Sequence, residues 1–468
     1  MTMKPSEIFQ VLMREVDCWN LPSDKVPSEL LLIGEDAFPV LVNKKGQVLI
    51  AASQYGKGRL VVMGHEGYLQ HAGLSQFLHN AVDWLNCCPG APIGVHSSVK
   101  GLADILCNPC VEVKITDNVT ECVGVYCIDA YDHKMAKELI RFVKNGGGLL
   151  IGGQAWHWSS QHCGCKVISD FPGNHTACVS GVYFTNEYGD ISCLSEVSKE
   201  IPTIPLLVRF GEDLSEEQKK LLDGISEENF CVNVDTCHIL VHGALAFPLA
   251  QVKSLDCFVA AARFGLGRVV VVADENMVLN PQMAPFLCNA VRWLAGEHKC
   301  KVGINPDVKD LFPLLDETGL ERCIIPHVTH CLSVYCCLAD KDHEAKKLRE
   351  FVAEGGGLLI AGNAFKWDSE NSCKIPLVDY PGNKFLNHFG LGILGETLTE
   401  HCLCASPEDR KYHLRVALAQ YLSPQGGCLS DTWGAKLKRD CNEFQKMPPK
   451  GIPAYVSLQE FCSKFADK

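Results

Sequence analysis

Apolar residues recur along this chain with two periods. Leu74, Phe77, Leu78, Ala81, Val82 and Leu85 fall at helical spacing, as do Met283, Phe286, Leu287, Ala290, Val291 and Leu294. Each set predicts a helix with one face turned to a sheet. Short apolar runs at 48–52 and 60–63, and again at 257–261 and 269–272, read as strands joined in hairpins through the glycines of 55–59 and 264–268. Leu30 to Ile33 is a further strand. Opening helices are expected from Ser6-Glu7 with Ile8, Leu12 and Val16, and from Ser215 with Leu221, Leu222 and Ile225; Ser215 and Gln218 have capping-box spacing.

The strand ending at Cys127, the helix bearing Met135, Leu139, Phe142 and Val143, and the strand Leu149 to Ile151 form a strand–helix–strand unit. That order implies a parallel pair and a right-handed crossover. Between helix and second strand stand Gly146, Gly147 and Gly148. The first can end the helix in a left-handed conformation, and the others permit a tight return onto the sheet.

The pattern occurs twice. The run from Phe142 to Gly153 returns from Phe351 to Gly362, an offset of 209 positions, and the same offset carries Ala37-Phe38-Pro39 onto Ala246-Phe247-Pro248. It also carries Asn80 to Leu85 onto Asn289 to Leu294, and Phe171 to Asn174 onto Tyr380 to Asn383. A constant offset over that length reads as a duplication. The expected fold is therefore α/β, with two tandem three-layer domains at 1–209 and 210–418 and a helical or irregular tail at 419–468. The tail holds the linker-like Pro448-Pro449 and Pro453.

Composition narrows the class. Of 468 residues 47% are hydrophobic and 21% charged, ordinary proportions for a globular protein, and no apolar run approaches the ~20 residues of a membrane helix. Membrane association is thus expected to be peripheral. The opening Met1 to Glu7 lacks a basic start followed by an apolar block, so a cytosolic protein is expected. A formal charge of −12 opposes nucleic acid and anionic lipid. In such a chain the 26 cysteines read mainly as small buried hydrophobes rather than disulfides.

Ligands in open α/β sheets gather beyond the carboxyl ends of strands. Two such places repeat. Glu66 and Glu275 follow the strands ending at Met63 and Val272; each could act as a base, hold an amine or partner a helix N-terminus. Gln154, Trp156 and Trp158 parallel Asn363, Phe365 and Trp367 after the next strands, where they could line a pocket or partner surface or simply close the core. Neither Gly-x-Ser-x-Gly nor Gly-x-Cys-x-Gly occurs, so no catalytic residue is assigned. His162-Cys163 has no counterpart at Asn371-Ser372, and Cys107 to Cys110 is a single C-x-x-C, weak as a metal site. His65-Glu66 and His343-Glu344 begin like H-E-x-x-H but lack the second histidine, and no G-x-G-x-x-G or Gly-Lys-Ser/Thr supports a nucleotide. No metal and no cofactor is expected.

The runs 27–34, 45–53, 90–95, 146–156, 241–248 and 452–455 resemble the TRP melastatin channel-associated factor family, whose members bind the cold- and menthol-sensing cation channel. The duplicated unit also resembles a degenerate class I glutamine-amidotransferase-like, flavodoxin-like domain without its cysteine elbow. The resemblance implies a short form or amino-terminal half lacking a metallopeptidase-like domain. It further implies a non-enzymatic cytoplasmic regulator, peripheral at the plasma membrane. Such a regulator binds the channel, promotes its delivery to that membrane, modulates its gating and influences cell migration. The alternative expectation is a small-molecule hydrolase or amidotransferase, or a carbohydrate- or peptide-binding module, using the strand ends.

Overall fold

The computed structural model describes residues 3–107, 111–119, 122–206, 209, 214–230, 232–296, 301–399, 403, 412–423, 429–448 and 453–466. Cys110 of the C-x-x-C pair and residues 449–452 of the proline-rich segment lie outside them. The chain divides into two compact units, Met1–Pro205 with Pro449–Ser457, and Leu206–Pro448 with Leu458–Lys468.

The first unit contains β1 (Ser28–Leu32), β2 (Phe38–Val42), β3 (Val48–Tyr55), β4 (Gly58–Met63), β5 (Ile93–Val95), β6 (Val113–Ile115), β7 (Val125–Asp129), β8 (Gly148–Gly152) and β9 (Val182–Tyr188). Seven strands make one mixed sheet in the order β2-β3-β4-β8-β7-β5-β6. The first three form an antiparallel meander and the rest run parallel to β4. Pro39 sits in β2, an edge strand, where a missing N–H is tolerated. The strand at Leu30 does not join this sheet; β1 pairs antiparallel with β9 alone.

Neighbouring residues on a strand point to opposite faces. A Cβ at Gly58 would lie 2.2 Å from Val143 O, in the helix Ala136–Lys144. The next side chain, Arg59, turns the other way: its guanidinium lies 5.4 Å from the Trp84 ring and bonds Trp84 O, in the helix Ser75–Leu85. The two helices therefore cover opposite faces, and the unit has three layers.

The second unit repeats this plan with β10 (Cys237–Val241), β11 (Ala246–Gln251), β12 (Cys257–Phe264), β13 (Gly267–Val272), β14 (Lys301–Ile304), β15 (Glu321–Ile324), β16 (Val334–Leu338), β17 (Gly357–Ala361) and β18 (Leu391–Thr397). Its main sheet is ordered β11-β12-β13-β17-β16-β14-β15, with β10 and β18 paired apart. Gly267 faces Val352 of the helix Ala345–Ala353, and Arg268 reaches Trp293 O of the helix Ala284–Ala295.

Local expectations met some corrections. The opening helix spans Pro5–Leu12 and stops before Val16, because Glu15 takes a left-handed φ of 58°. Ser215 begins the helix Ser215–Leu221 but does not cap it. Gln218 instead donates to Pro248 O at 2.7 Å, so a tertiary acceptor displaces the capping box. Position 419, the expected start of the tail, lies inside the helix Leu414–Leu422.

The glycines hold the layers at backbone contact. Gly146 and Gly355, at φ of 120° and 112°, turn the chain out of the preceding helix. A Cβ at Gly147 would come within 2.4 Å of the Phe142 ring, and one at Gly148 within 2.4 Å of Leu85 O. The hairpin tip then bonds the helix end, Lys57 N to Lys144 O at 3.0 Å and Leu266 N to Ala353 O at 2.9 Å.

Buried charges fix the helix Asp431–Gln445 in the second unit. Fully buried Asp256 lies 3.1 Å from Lys436 Nζ, which also bonds Asp440 at 2.6 Å. Burial opposes the charge on Asp256, yet Lys436, His238 and Arg439 hold its carboxyl below the usual range. The helix Leu414–Leu422 is capped by His413, whose Nδ1 accepts from Arg415 N at 3.0 Å while Nε2 donates to Gly243 O at 3.0 Å. That tautomer is neutral. Burial, then Arg415, pushes His413 and His242 down to about 3.

Gly58→Ala or Gly267→Ala drives a methyl into two carbonyl oxygens and should lower the unfolding free energy by about 3 kcal/mol. Gly434→Ala, mid-helix with nothing near its added carbon, should raise it by about 0.5–1 kcal/mol; urea titration reads both. For His242 and His413, the unfolded chain titrates near the ordinary histidine value and takes up protons that the folded state refuses. Stability should therefore fall below about pH 6.5, by about 1.4 kcal/mol per pH unit for each histidine. Urea midpoints at pH 7.5 and 5.5 check this, and His413→Asn should flatten the dependence.

Candidate functional site

The strand-end residues singled out in the sequence do converge within each unit. In the first, β4 and β8 are parallel neighbours, so His65-Glu66 and Gln154 leave the sheet side by side. The passage is close: a Cβ at Gly152 would lie 3.0 Å from His65 O. Tyr131, on the loop after β7, donates to Glu66 Oε2 at 2.9 Å and accepts from Gln154 N at 3.0 Å. Burial and then Glu66 push its phenol above the ordinary range, so it keeps the proton that it donates.

His65 is not the cationic partner of Glu66 that their 3.3 Å separation suggests. Its Nδ1 accepts from Gly67 N at 2.9 Å, and burial lowers its pKa. A ring nitrogen that accepts an N–H carries no proton. The amide of Gln154 and the indole N–H of Trp156 both donate to Val26 O, at 2.7 and 3.1 Å. Trp158 is half-buried, stacked on His162 at 4.2 Å and edge-on to Phe171 at 5.6 Å. Trp156 meets Tyr188 at 6.5 Å, and Tyr188 is 61% exposed.

In the second unit Asn363 is buried, accepting from Phe365 N at 3.0 Å and donating to Asp235 O at 2.8 Å. Glu275 pairs with Lys366 at 3.4 Å. Trp367 packs edge-on to Tyr380 at 5.8 Å, with Lys374 Nζ 5.5 Å from its ring centre.

A position-by-position reading of the sequence missed the phenols. Tyr131 corresponds to Asp340, and Phe171 to Tyr380. In the second unit the Tyr380 hydroxyl stands over Gly362, where a Cβ would meet it at 2.6 Å. Burial first, and Glu275 next, raise its pKa, while the Asn363 amide acts the other way. Both units thus set a protonated phenol beside the strand-end carboxylate, and each takes it from a different loop. Ser28 and Cys237, also missed, are equivalents: they accept from Trp156 N at 3.1 Å and Phe365 N at 3.3 Å. Burial raises the Cys237 thiol to about 12, so it is no thiolate nucleophile.

Fold and site together define a tandem α/β protein with a tyrosine beside a carboxylate at the strand ends of each unit. The family model described as "TRPM8, N-terminal domain" (TCAF_N) matches residues 3–176 and 165–407, and the chain belongs to that family. It is 54% identical to TRPM8 channel-associated factor 2 of Homo sapiens, over 97% of this chain and 50% of that protein. It is 45% identical to TRPM8 channel-associated factor 3 of Mus musculus, over 99% of this chain and 51% of that one. The chain spans about half the length of the curated relatives it matches. Among solved structures, the IMPa metallopeptidase from Pseudomonas aeruginosa aligns over 39% of this chain and 22% of its own, with 15% identity and a TM-score of 0.32, too little to bear on fold or activity. No helix among the described residues is long and apolar enough to cross a membrane.

Tyr131→Phe should remove the donor to the Glu66 carboxylate and the acceptor for the Gln154 backbone N–H, lowering stability by about 1–3 kcal/mol. Adding Phe171→Tyr, the arrangement of the second unit, should recover part of that loss. Denaturant unfolding of the single and double variants checks the pair.

Proposed function

We propose that this chain is a non-enzymatic regulator that binds the TRPM8 channel. The observation that carries this reading is the identity of 45–54% across nearly the whole chain to proteins named as TRPM8 channel-associated factors. Delivery of the channel to the plasma membrane, modulation of its gating, an effect on cell migration and a peripheral place at that membrane belong to the same proposal. So does the kinship of each unit with degenerate glutamine-amidotransferase-like domains. The chain covers half of its relatives' length, so their whole activity is carried over only as a proposal.

The strand-end chemistry favours binding over turnover. Glu66 already accepts a hydrogen bond from Tyr131, His65 is held neutral, and the Cys237 thiol is pushed up by burial. A general base needs a free lone pair directed at substrate. What these loops offer outward is aromatic surface. Trp156 and exposed Tyr188 lie together in the first unit, and Phe365, 40% exposed, takes the corresponding place in the second. Tyrosine and tryptophan supply large contact area at low entropic cost, which suits a partner interface. Glu66, Glu275, Gln154, Asn363, Trp158 and Trp367 are proposed to support that surface from beneath.

Co-precipitation with TRPM8 from cells expressing both, paired with surface biotinylation of the channel, tests the reading. The native chain should recover the channel and change its surface level, and Trp156→Ala with Tyr188→Ala should reduce recovery about tenfold or more. Absence of recovery by the native chain would sink the proposal.

A further inference from the structure

The two main sheets contain a feature that the strand-end residues above do not use. In the second unit the spatial order β17-β16-β14-β15 places β15 beside β14 on one side, and β17 beside β16 on the other. The connection β14 to β15 therefore leaves in one direction and that from β16 to β17 in the other. The carboxyl ends of β14 and β16 flank the switch point, where open α/β sheets leave a crevice for ligands. A cleft of about 30 Å³ lies there, lined by Asn305, Asp307, Tyr335, Asp340, His343 and Glu344 among others. That is room for an ion and a water rather than an organic substrate.

His343 and Glu344 of this lining come together with His327. His327, His343 and Glu344 each bring a donor atom to within 4.8 Å of the other two. His327 Nδ1 is 3.4 Å from Glu344 Oε1. The carboxylate is anchored: Glu344 is nearly buried at the start of the helix Ala345–Ala353, where Lys347 Nζ approaches it at 3.3 Å. Both histidines are exposed, their rings 6.4 Å apart at 90°. We propose that these three residues bind a divalent transition-metal ion of the zinc class.

The donor set and geometry support that choice. Two imidazoles and one carboxylate are a zinc donor set that leaves a fourth position open, and bonds of about 2.0–2.1 Å put tetrahedral donors about 3.3 Å apart. The histidine–glutamate pair already has that spacing, so the remaining closure falls to His343 and to displacement of Lys347, which is exposed. Hard oxygen-seeking cations are disfavoured by the imidazoles. His343 and Glu344 also line the cleft, together with Asp340 and Asn305. The first unit has Asn118, Lys134 and Met135 at the corresponding places, so the site belongs to the second unit alone. The histidine that joins His343-Glu344 comes from the loop after β15, sixteen positions upstream of His343, where H-E-x-x-H has its second histidine four positions downstream of the first.

Calorimetric titration of the metal-stripped full chain with Zn²⁺ alone, alongside His327→Ala and His343→Lys, tests the site. His343→Lys installs the residue of the first unit, and both positions are exposed, so melting temperatures without metal should match the native chain. The native chain should bind an equivalent of Zn²⁺ that each variant loses or holds about tenfold or more weaker, and Zn²⁺ should raise the melting temperature of the native chain alone. Because exposed cysteines also bind zinc, Co²⁺ is added in a parallel titration. The equivalent that depends on His327 should show no thiolate charge-transfer absorption. Unchanged binding in both variants, thiolate absorption for that equivalent, or no binding by the native chain would overturn the proposal.

Discussion

Everything else in either unit depends on a contact of backbone with backbone. Where β4 begins, the carbonyls of Val143 and Gly147 stand so near Gly58 that a single added carbon would lie 2.2 and 2.3 Å from them; at Gly267, Val352 and Gly356 recreate the distances. The junction joins the hairpin tip, the end of the crossover helix and the start of the next parallel strand. Arg59 and Arg268 close it on the opposite face, lying over Trp84 and Trp293 and bonding their carbonyls. Without side chains to separate them, the layers settle at a distance set by peptide groups, and that fixes the register of β4 with β8. Register in turn determines which residues leave the sheet together at its far end.

At that far end the chemistry is one of mutual restraint. The Tyr131 hydroxyl donates a hydrogen bond to Glu66 and accepts one from the Gln154 backbone N–H, so phenol and carboxylate are engaged with each other. In the second unit Asp340 stands at the position of Tyr131, Glu275 pairs with Lys366 at 3.4 Å, and the Tyr380 phenol lies close enough to Glu275 for that carboxylate to help raise its pKa. Aromatic residues then occupy the outward side, which is why binding is the reading this geometry favours.

Much of the architecture was legible in the sequence. Helical and strand periods, the strand–helix–strand order and the glycine triplets are local signals, and they indicated an α/β chain with parallel strands. The sequence did not reveal that β1 and β10 stand outside the main sheets, because pairing with β9 and β18 is a contact across 150 residues or more that no local pattern encodes. Gln218 shows the same limit on a small scale: its spacing from Ser215 fits a cap, but Pro248 O competes and wins. At the strand ends the carboxylates and aromatics could be singled out one by one, whereas the phenols could not, since equivalence by position hides equivalence in space. His327 approaches Glu344 from a loop seventeen positions away, a contact that no local spacing encodes.

The account stands or falls on the glycine junction. Hydrogen exchange of the Lys57, Gly147, Leu266 and Gly356 amides measures it directly, because Lys57 and Leu266 bond Lys144 and Ala353 across the junction, and Gly147 and Gly356 bond Phe142 and Phe351 at the helix ends that form it. Although two of them lie at hairpin tips, all four should exchange as slowly as the amides within β4 and β13, opening only with the whole unit. Exchange at the rate of exposed turn amides, while the strands stay protected, would contradict the claim that this contact sets the fold.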